Sequence, residues 1–114
     1  MTVEHVTRER VRPVAGPLFR QVAALGVERI GGTKRRKLLA LLAAYADAGE
    51  SSPSARVLVA TLGLPGGRWL AFRTFDHLLG LLERDGLLRV ERSPWGSNER
   101  NRYTLTLDAE RGAA

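Results

Sequence analysis

The chain has no cysteine, only two histidines and no long apolar run. Without cysteine there is neither a disulfide framework nor a thiolate metal site. His5 and His77 lack the spacing of a metal site, and no serine has a partner histidine nearby in the sequence. No segment approaches the roughly 18 consecutive apolar residues that a membrane span requires. We therefore expect no catalytic activity, no metal or other cofactor, no membrane partner and a cytoplasmic location.

Positive charge is what the chain has in excess. Its 114 residues include 18 Lys or Arg and 12 Asp or Glu, a formal net charge of +6, and the pI is about 11.0. This balance favours a polyanionic partner, although ribosome-associated proteins and some merely soluble ones share it. The position of the basic residues along the chain therefore has to distinguish these interpretations.

The length suits one domain with a modest core. We divide the chain into a basic arm over residues 1–12, a single domain over residues 13–108 and a frayed tail over residues 109–114. The arm is polar and weakly periodic, which favours a disordered terminus over an arm that follows DNA.

A short helix is predicted to begin at Gly16-Pro17 and to end before Gly26, because proline suits a first helical turn. Its apolar residues fall on one face, namely Leu18, Phe19, Val22 and Leu25. This helix either packs on its own domain or contributes to a dimer interface, and the sequence leaves both open.

The clearest helix is predicted over Lys34–Ala48, with Thr33 as its N-cap and Gly49 after its end. Its buried face contains Leu38, Leu41, Leu42 and Tyr45. Its first turn is cationic throughout, with Lys34, Arg35, Arg36 and Lys37. Four cations oppose the helix dipole, which prefers anions there. We therefore interpret the cluster as a phosphate contact, the alternative being a solvated charge run.

Two helices separated by the turn 63–67 are predicted next. The first runs from Pro53 to about Leu62, with Ser52 as a possible cap and with Val57 and Leu58 inward. The second runs from Arg68 or Trp69 to Arg84, and its inward stripe is Phe72, Phe75, Leu78, Leu79 and Leu82. Two helices with this spacing are typical of a helix-turn-helix.

The outward N-terminal half of the second helix presents residues that donate to or accept from base edges. Arg68, Arg73 and His77 are the first-choice base contacts, and Thr74 is a further candidate. Trp69 is expected in the core, or as a packing shelf, rather than as a base-stacking residue.

Alternating apolar and polar residues predict two antiparallel strands, Leu87–Arg92 and Arg102–Leu107. Their connection exceeds the usual hairpin loop of about 2–5 residues. We expect a protruding loop that includes Asn101 and whose DNA contacts are Trp95, Asn98, Arg100 and Arg102. The alternative is a mobile solvent-exposed loop.

A helix that runs into LLERDGLLRVER, followed by a basic hairpin that ends in NRYTLTL, resembles the winged helix-turn-helix domains of bacterial DNA-binding proteins. The resemblance covers roughly the second two-thirds of the chain. It implies a mostly α fold with a small antiparallel β-hairpin as the wing.

The function implied by this resemblance is sequence-specific binding of double-stranded DNA by a homodimer associated with the nucleoid. Transcriptional regulation is the first interpretation, and plasmid or phage replication or partition is the second. A winged-helix module that binds protein is a further alternative. RNA binding is disfavoured because interleaved aromatic residues are missing. The residues indicate no small-molecule effector site.

Overall fold

The computed structural model describes residues 11–93 and 101–107, so most of the predicted arm and all of the predicted tail lie outside the described residues. Within this part of the chain, the helices are α1 (Pro17–Ala24), α2 (Val27–Ile30), α3 (Thr33–Asp47), α4 (Ala55–Leu62) and α5 (Arg68–Arg84). Two strands follow, β1 (Leu88–Glu91) and β2 (Arg102–Leu105). The expectation of a mostly helical chain with a small antiparallel hairpin is confirmed.

The bounds of α5 agree with the sequence prediction at both ends. The predicted caps of the two preceding helices are wrong. Thr33 is the first helical residue of α3, and Gly32 precedes it as an N-cap with no side-chain hydrogen bond. Ser54, not Ser52, caps α4, since its Oγ accepts a hydrogen bond from the backbone N–H of Arg56 at 3.2 Å.

The core is formed by α3, α4 and α5 together with α1 and the inner face of the hairpin. Ala55, Leu58 and Val59 are buried and Leu62 is half-buried on one side of α4. Their spacing of three, four and seven residues defines one face of a helix. Val57 lies on the opposite side and is 45% exposed, so its predicted inward position is wrong.

Helix α1 packs on its own domain, mainly against α3. Val22 is fully buried, and Asp47 at the end of α3 accepts hydrogen bonds from the backbone N–H groups of Leu18 at 3.0 Å and Phe19 at 2.9 Å. A Cβ on Gly16 would lie 2.7 Å from Cγ of Asp47. Glycine at this position therefore lets the carboxylate approach the unpaired N–H groups at the start of α1.

The strands pair antiparallel, with Leu88 opposite Leu105 and Val90 opposite Tyr103. The inward side chains of Leu88, Val90 and Tyr103 are buried, as the alternation predicts. Both strands are shorter than expected, and Leu107 is buried beyond the end of β2. The backbone N–H of Tyr103 also donates to the carbonyl of Ser51 at 2.9 Å. This bond joins β2 to the connection between α3 and α4.

Asn101 does not belong to a protruding loop, and the prediction that it does is wrong. Its side chain is 0% exposed, and its Oδ1 accepts a hydrogen bond from the backbone N–H of Ser93 at 3.0 Å. A buried polar side chain requires such a partner. Asn101 therefore closes the base of the long connection at the point where the two strands separate.

The bidentate pair of Glu83 and Arg92, at 2.8 and 3.0 Å, joins α5 to the residue after β1. The hydrogen bonds from Arg92 hold the pKa of Glu83 below its ordinary value of 4.5. The stability from this ionised carboxylate is thus present above that value and lost as the pH falls through the lowered pKa.

We expect Glu83→Gln to lower the free energy of unfolding by up to about 1 kcal/mol near pH 7, since both side chains are partly exposed. The difference from the wild type should shrink as the pH falls below 4.5, the ordinary pKa of glutamate. Urea unfolding of both proteins over a pH series measures this. A difference that stays constant down to the most acidic pH would contradict the assigned role.

Candidate nucleic-acid interface

The outer face of α5 carries a row of three exposed side chains. Trp69, Arg73 and His77 follow one another at four-residue spacing and are all exposed. Residues four apart lie on the same face of a helix, about 6 Å apart along its axis. Arg68 is exposed in the same first turn as Trp69, whereas the side chain of Thr74 is half-buried.

Trp69 is not a core residue, and that part of its prediction is wrong. Its side chain is 72% exposed, because Ala71 and Phe75 occupy the inward stripe of the helix. The guanidinium of Arg73 lies over the indole, 5.2 Å from the ring centroid. This distance is typical of a cation–π contact. Trp69 is thus a packing shelf for Arg73.

Arg56 is a candidate phosphate contact that the sequence pattern did not lead us to predict. It lies in the first turn of α4, and it lines a surface groove together with Arg68 and the apolar residues Val59, Ala60 and Phe72. In residues 11–93 and 101–107, no acidic side chain forms an ion pair with Arg56 or Arg68. The signal in the sequence was the position of Arg56 just after a capping serine, at a helix end whose free N–H groups attract anions.

The cationic first turn of α3 is partly used within the fold. Arg35 forms an ion pair with Asp85 at 3.2 Å, and Arg36 donates a hydrogen bond to the carbonyl of Ala23 at 3.1 Å. Lys34 and Lys37 remain exposed. Asp85 follows the end of α5, so Arg35 lies about 18 Å along that helix axis from the level of Arg73.

The separation of about 18 Å along α5 divides the predicted contacts into a group near Arg73 and a group near Asp85. The structure places Arg68 and Arg73 in the first two turns of α5, and it places Arg56 on α4 beside Arg68. It does not bring Arg35 to this end of α5. The charge of Arg35 is also balanced by Asp85, so the unfavourable dipole interaction at that position does not require an external anion.

The predicted wing residues Trp95, Asn98 and Arg100 lie outside the described residues. Arg102 is described and begins β2, where it is exposed on the outer face of the hairpin. Its Nε lies 4.0 Å from Oε1 of Glu91, the residue opposite it in the strand register. An exposed pair at this distance contributes little to stability.

No model of a known protein family, no curated protein and no solved structure matches this chain. In residues 11–93 and 101–107, no helix is both long enough and apolar enough to cross a membrane.

Proposed function

We propose that the protein is a sequence-specific double-stranded DNA-binding protein with a winged helix-turn-helix fold. In this interpretation α4 and α5 form the helix-turn-helix, and β1 and β2 form the base of the wing. Three helices followed by an antiparallel hairpin support the fold, as does the bond between the Tyr103 N–H and the Ser51 carbonyl. That bond extends the hairpin toward the connection between α3 and α4.

The exposed N-terminal half of α5 is the observation that carries the proposal. The major groove of DNA admits an α-helix, and helix-turn-helix proteins contact bases with the first residues of the second helix. At this position α5 has Arg68, Arg73 and His77, all exposed. Arginine donates two hydrogen bonds to guanine O6 and N7, so Arg73 is the first choice for a base contact.

The remaining cations supply contacts to the phosphate backbone. Arg56 lies across one groove from Arg68, in the first turn of α4, where the first helix of such a motif crosses the backbone. Lys34 and Lys37, exposed in the first turn of α3, supply further backbone contacts. Arg102, with the connection that precedes it, contacts the adjacent groove or strand, where the negative potential of a narrow groove attracts arginine.

The proposed assembly is a homodimer that binds two half-sites, and the proposed role is transcriptional regulation. Selection of bound sites from genomic DNA fragments tests both. Site symmetry reports the two-fold symmetry of the protein. Sites upstream of genes would support regulation, whereas sites at plasmid or phage origins would support a role in replication or partition.

One observation favours a second function, a module that binds another protein. Trp69 and Leu70 are exposed next to each other at the start of α5. Tryptophan is enriched at the energetic centres of protein interfaces. A protein partner would cover this pair and would leave the basic groove between α4 and α5 without an assigned role.

Salt dependence of duplex binding separates the two functions. Each phosphate contact should contribute about −0.9 to the slope of log K against log salt concentration. We expect Arg56→Gln to reduce the magnitude of that slope by about 0.9 and to weaken binding equally on all sequences. Lys34→Gln and Lys37→Gln should act in the same way.

Arg20→Gln is the matched control, because it removes the same charge from an exposed side chain on α1, a helix that carries none of the proposed contacts. Its slope should equal that of the wild type. A weak affinity with a flat salt response in the wild type would contradict DNA binding and support the protein-binding module.

A further inference from the structure

Trp69 is the most exposed large apolar side chain in the described part of the chain. Its neighbour Leu70 is less exposed and lies over the preceding turn, where a Cβ on Gly66 would be 2.5 Å from its Cδ2. The fold therefore uses Leu70 to cover the turn, while the indole of Trp69 packs beneath Arg73 and stays 72% exposed. Most of the indole surface is left for a ligand.

This contact favours one position of the Arg73 side chain. The planar guanidinium over the ring loses part of its conformational freedom before any ligand binds, which reduces the entropic cost of binding. In residues 11–93 and 101–107, no acidic side chain forms an ion pair with Arg73. Its donors are thus available to an acceptor beside the indole.

We propose that Trp69 and Arg73 act as one unit that recognises a thymine close to a guanine in the major groove. Arg73 donates to O6 and N7 of the guanine, and the indole of Trp69 contacts the C5-methyl group of the thymine. This inference rests on the proposed DNA-binding function, and it assigns the base specificity to Trp69 and Arg73 in the first two turns of α5.

The chemistry of the groove supports this pairing of residues with bases. The thymine methyl is the one apolar group that a base pair presents in the major groove, and cytosine lacks it. The two side chains are one helical turn apart, about 6 Å along the axis. The rise between stacked bases is about 3.4 Å, so the thymine lies within about two base pairs of the guanine.

Deoxyuridine provides the probe, because it differs from thymidine only by the missing methyl group. Sites are first selected from random duplexes, and each thymine of the preferred site is then replaced singly by deoxyuridine. We expect the wild type to lose about fourfold in affinity at one thymine near a guanine, the value of one buried methyl group. Replacements at the other thymines should have little effect.

Three variants assign this loss to the indole. Trp69→Ala should bind the thymine-containing site more weakly, and its affinity should not fall further when deoxyuridine replaces that thymine. Trp69→Phe should show part of the affinity loss that the wild type shows on this replacement. Val57→Ala, which truncates an exposed apolar side chain on α4, is the matched control. It should show the full affinity loss of the wild type when deoxyuridine replaces the thymine. Since Trp69 is exposed, its variants should unfold at the same urea concentration as the wild type.

The outcomes separate this inference from the function on which it rests. If the wild type selects sites but no deoxyuridine weakens binding, or if Trp69→Ala keeps the full loss, the thymine contact is overturned and DNA binding stands. If Trp69→Ala no longer binds a protein partner but binds DNA normally, the indole belongs to a protein interface, and the thymine contact is again overturned. If no duplex is bound at any sequence, both proposals fail.

Discussion

Replacing Phe75 by alanine should lower the free energy of unfolding by about 3–5 kcal/mol, the usual cost of truncating a fully buried phenylalanine. Phe75 is 0% exposed and is the largest fully buried side chain in the described part of the chain. Two effects add up in this loss. The free energy gained by moving the ring from water into the core is missing, and the cavity left behind carries a further cost. Domains of this size are stable by only about 5–15 kcal/mol, so much of the margin would disappear.

Urea unfolding followed by circular dichroism measures this effect. Phe72→Ala is the matched control, because it truncates the same side chain on the same helix at a half-buried position. Its cost should be clearly smaller. Equal losses in the two variants would show that Phe75 is not the centre of the packing between α5 and the rest of the core.

Under the proposed DNA-binding function, replacing Arg73 by alanine should cost about 1–3 kcal/mol in affinity for the preferred DNA site and should relax the sequence preference. The guanidinium is exposed and supported by the indole of Trp69. A bidentate contact to guanine is lost only on the sequence that contains that guanine, so the affinity for other sequences should change much less. Folding stability should stay nearly constant, because Arg73 is a surface residue.

Competition between the preferred site and a scrambled duplex of equal length measures the change in preference. Arg84→Ala, at the far end of the same helix, is the matched control and should leave the preference unchanged. If Arg73→Ala lowered the affinity for all DNA sequences alike, Arg73 would be a phosphate contact. Arg68 or His77 would then be the residue that contacts a base.

Hydrophobic periodicity alone predicted the parts of the fold whose pattern is local. The stripe through Phe75, Leu79 and Leu82 indicated α5, and its bounds agree with the structure because Gly67 precedes it and Asp85-Gly86 follows it. The alternation around Val90 indicated the hairpin in the same way. Such patterns depend only on the period of a helix or a strand.

Other features depend on contacts between distant residues, and no local pattern contains them. Asp47 caps α1 across 29 positions, and Arg35 pairs with Asp85 across 50. Both residues look like ordinary surface charges in the sequence. Asn101 similarly resembles a loop residue, and its burial follows from the closure of the hairpin against Ser93.

In the candidate site, too, some features follow from the local sequence and others depend on contacts between distant residues. The residue types at Arg73 and His77, together with the net charge, determined that the outer face of the first half of α5 is basic and polar, because their spacing of four residues places both on that face. Only the tertiary structure decided which cations remain available on the surface. Packing brings Asp85 to Arg35, leaves Arg56 beside Arg68, and exposes Trp69 beneath Arg73. The physical reason is that a charge is neutralised by whatever the folded chain places beside it, whereas periodicity describes one element at a time.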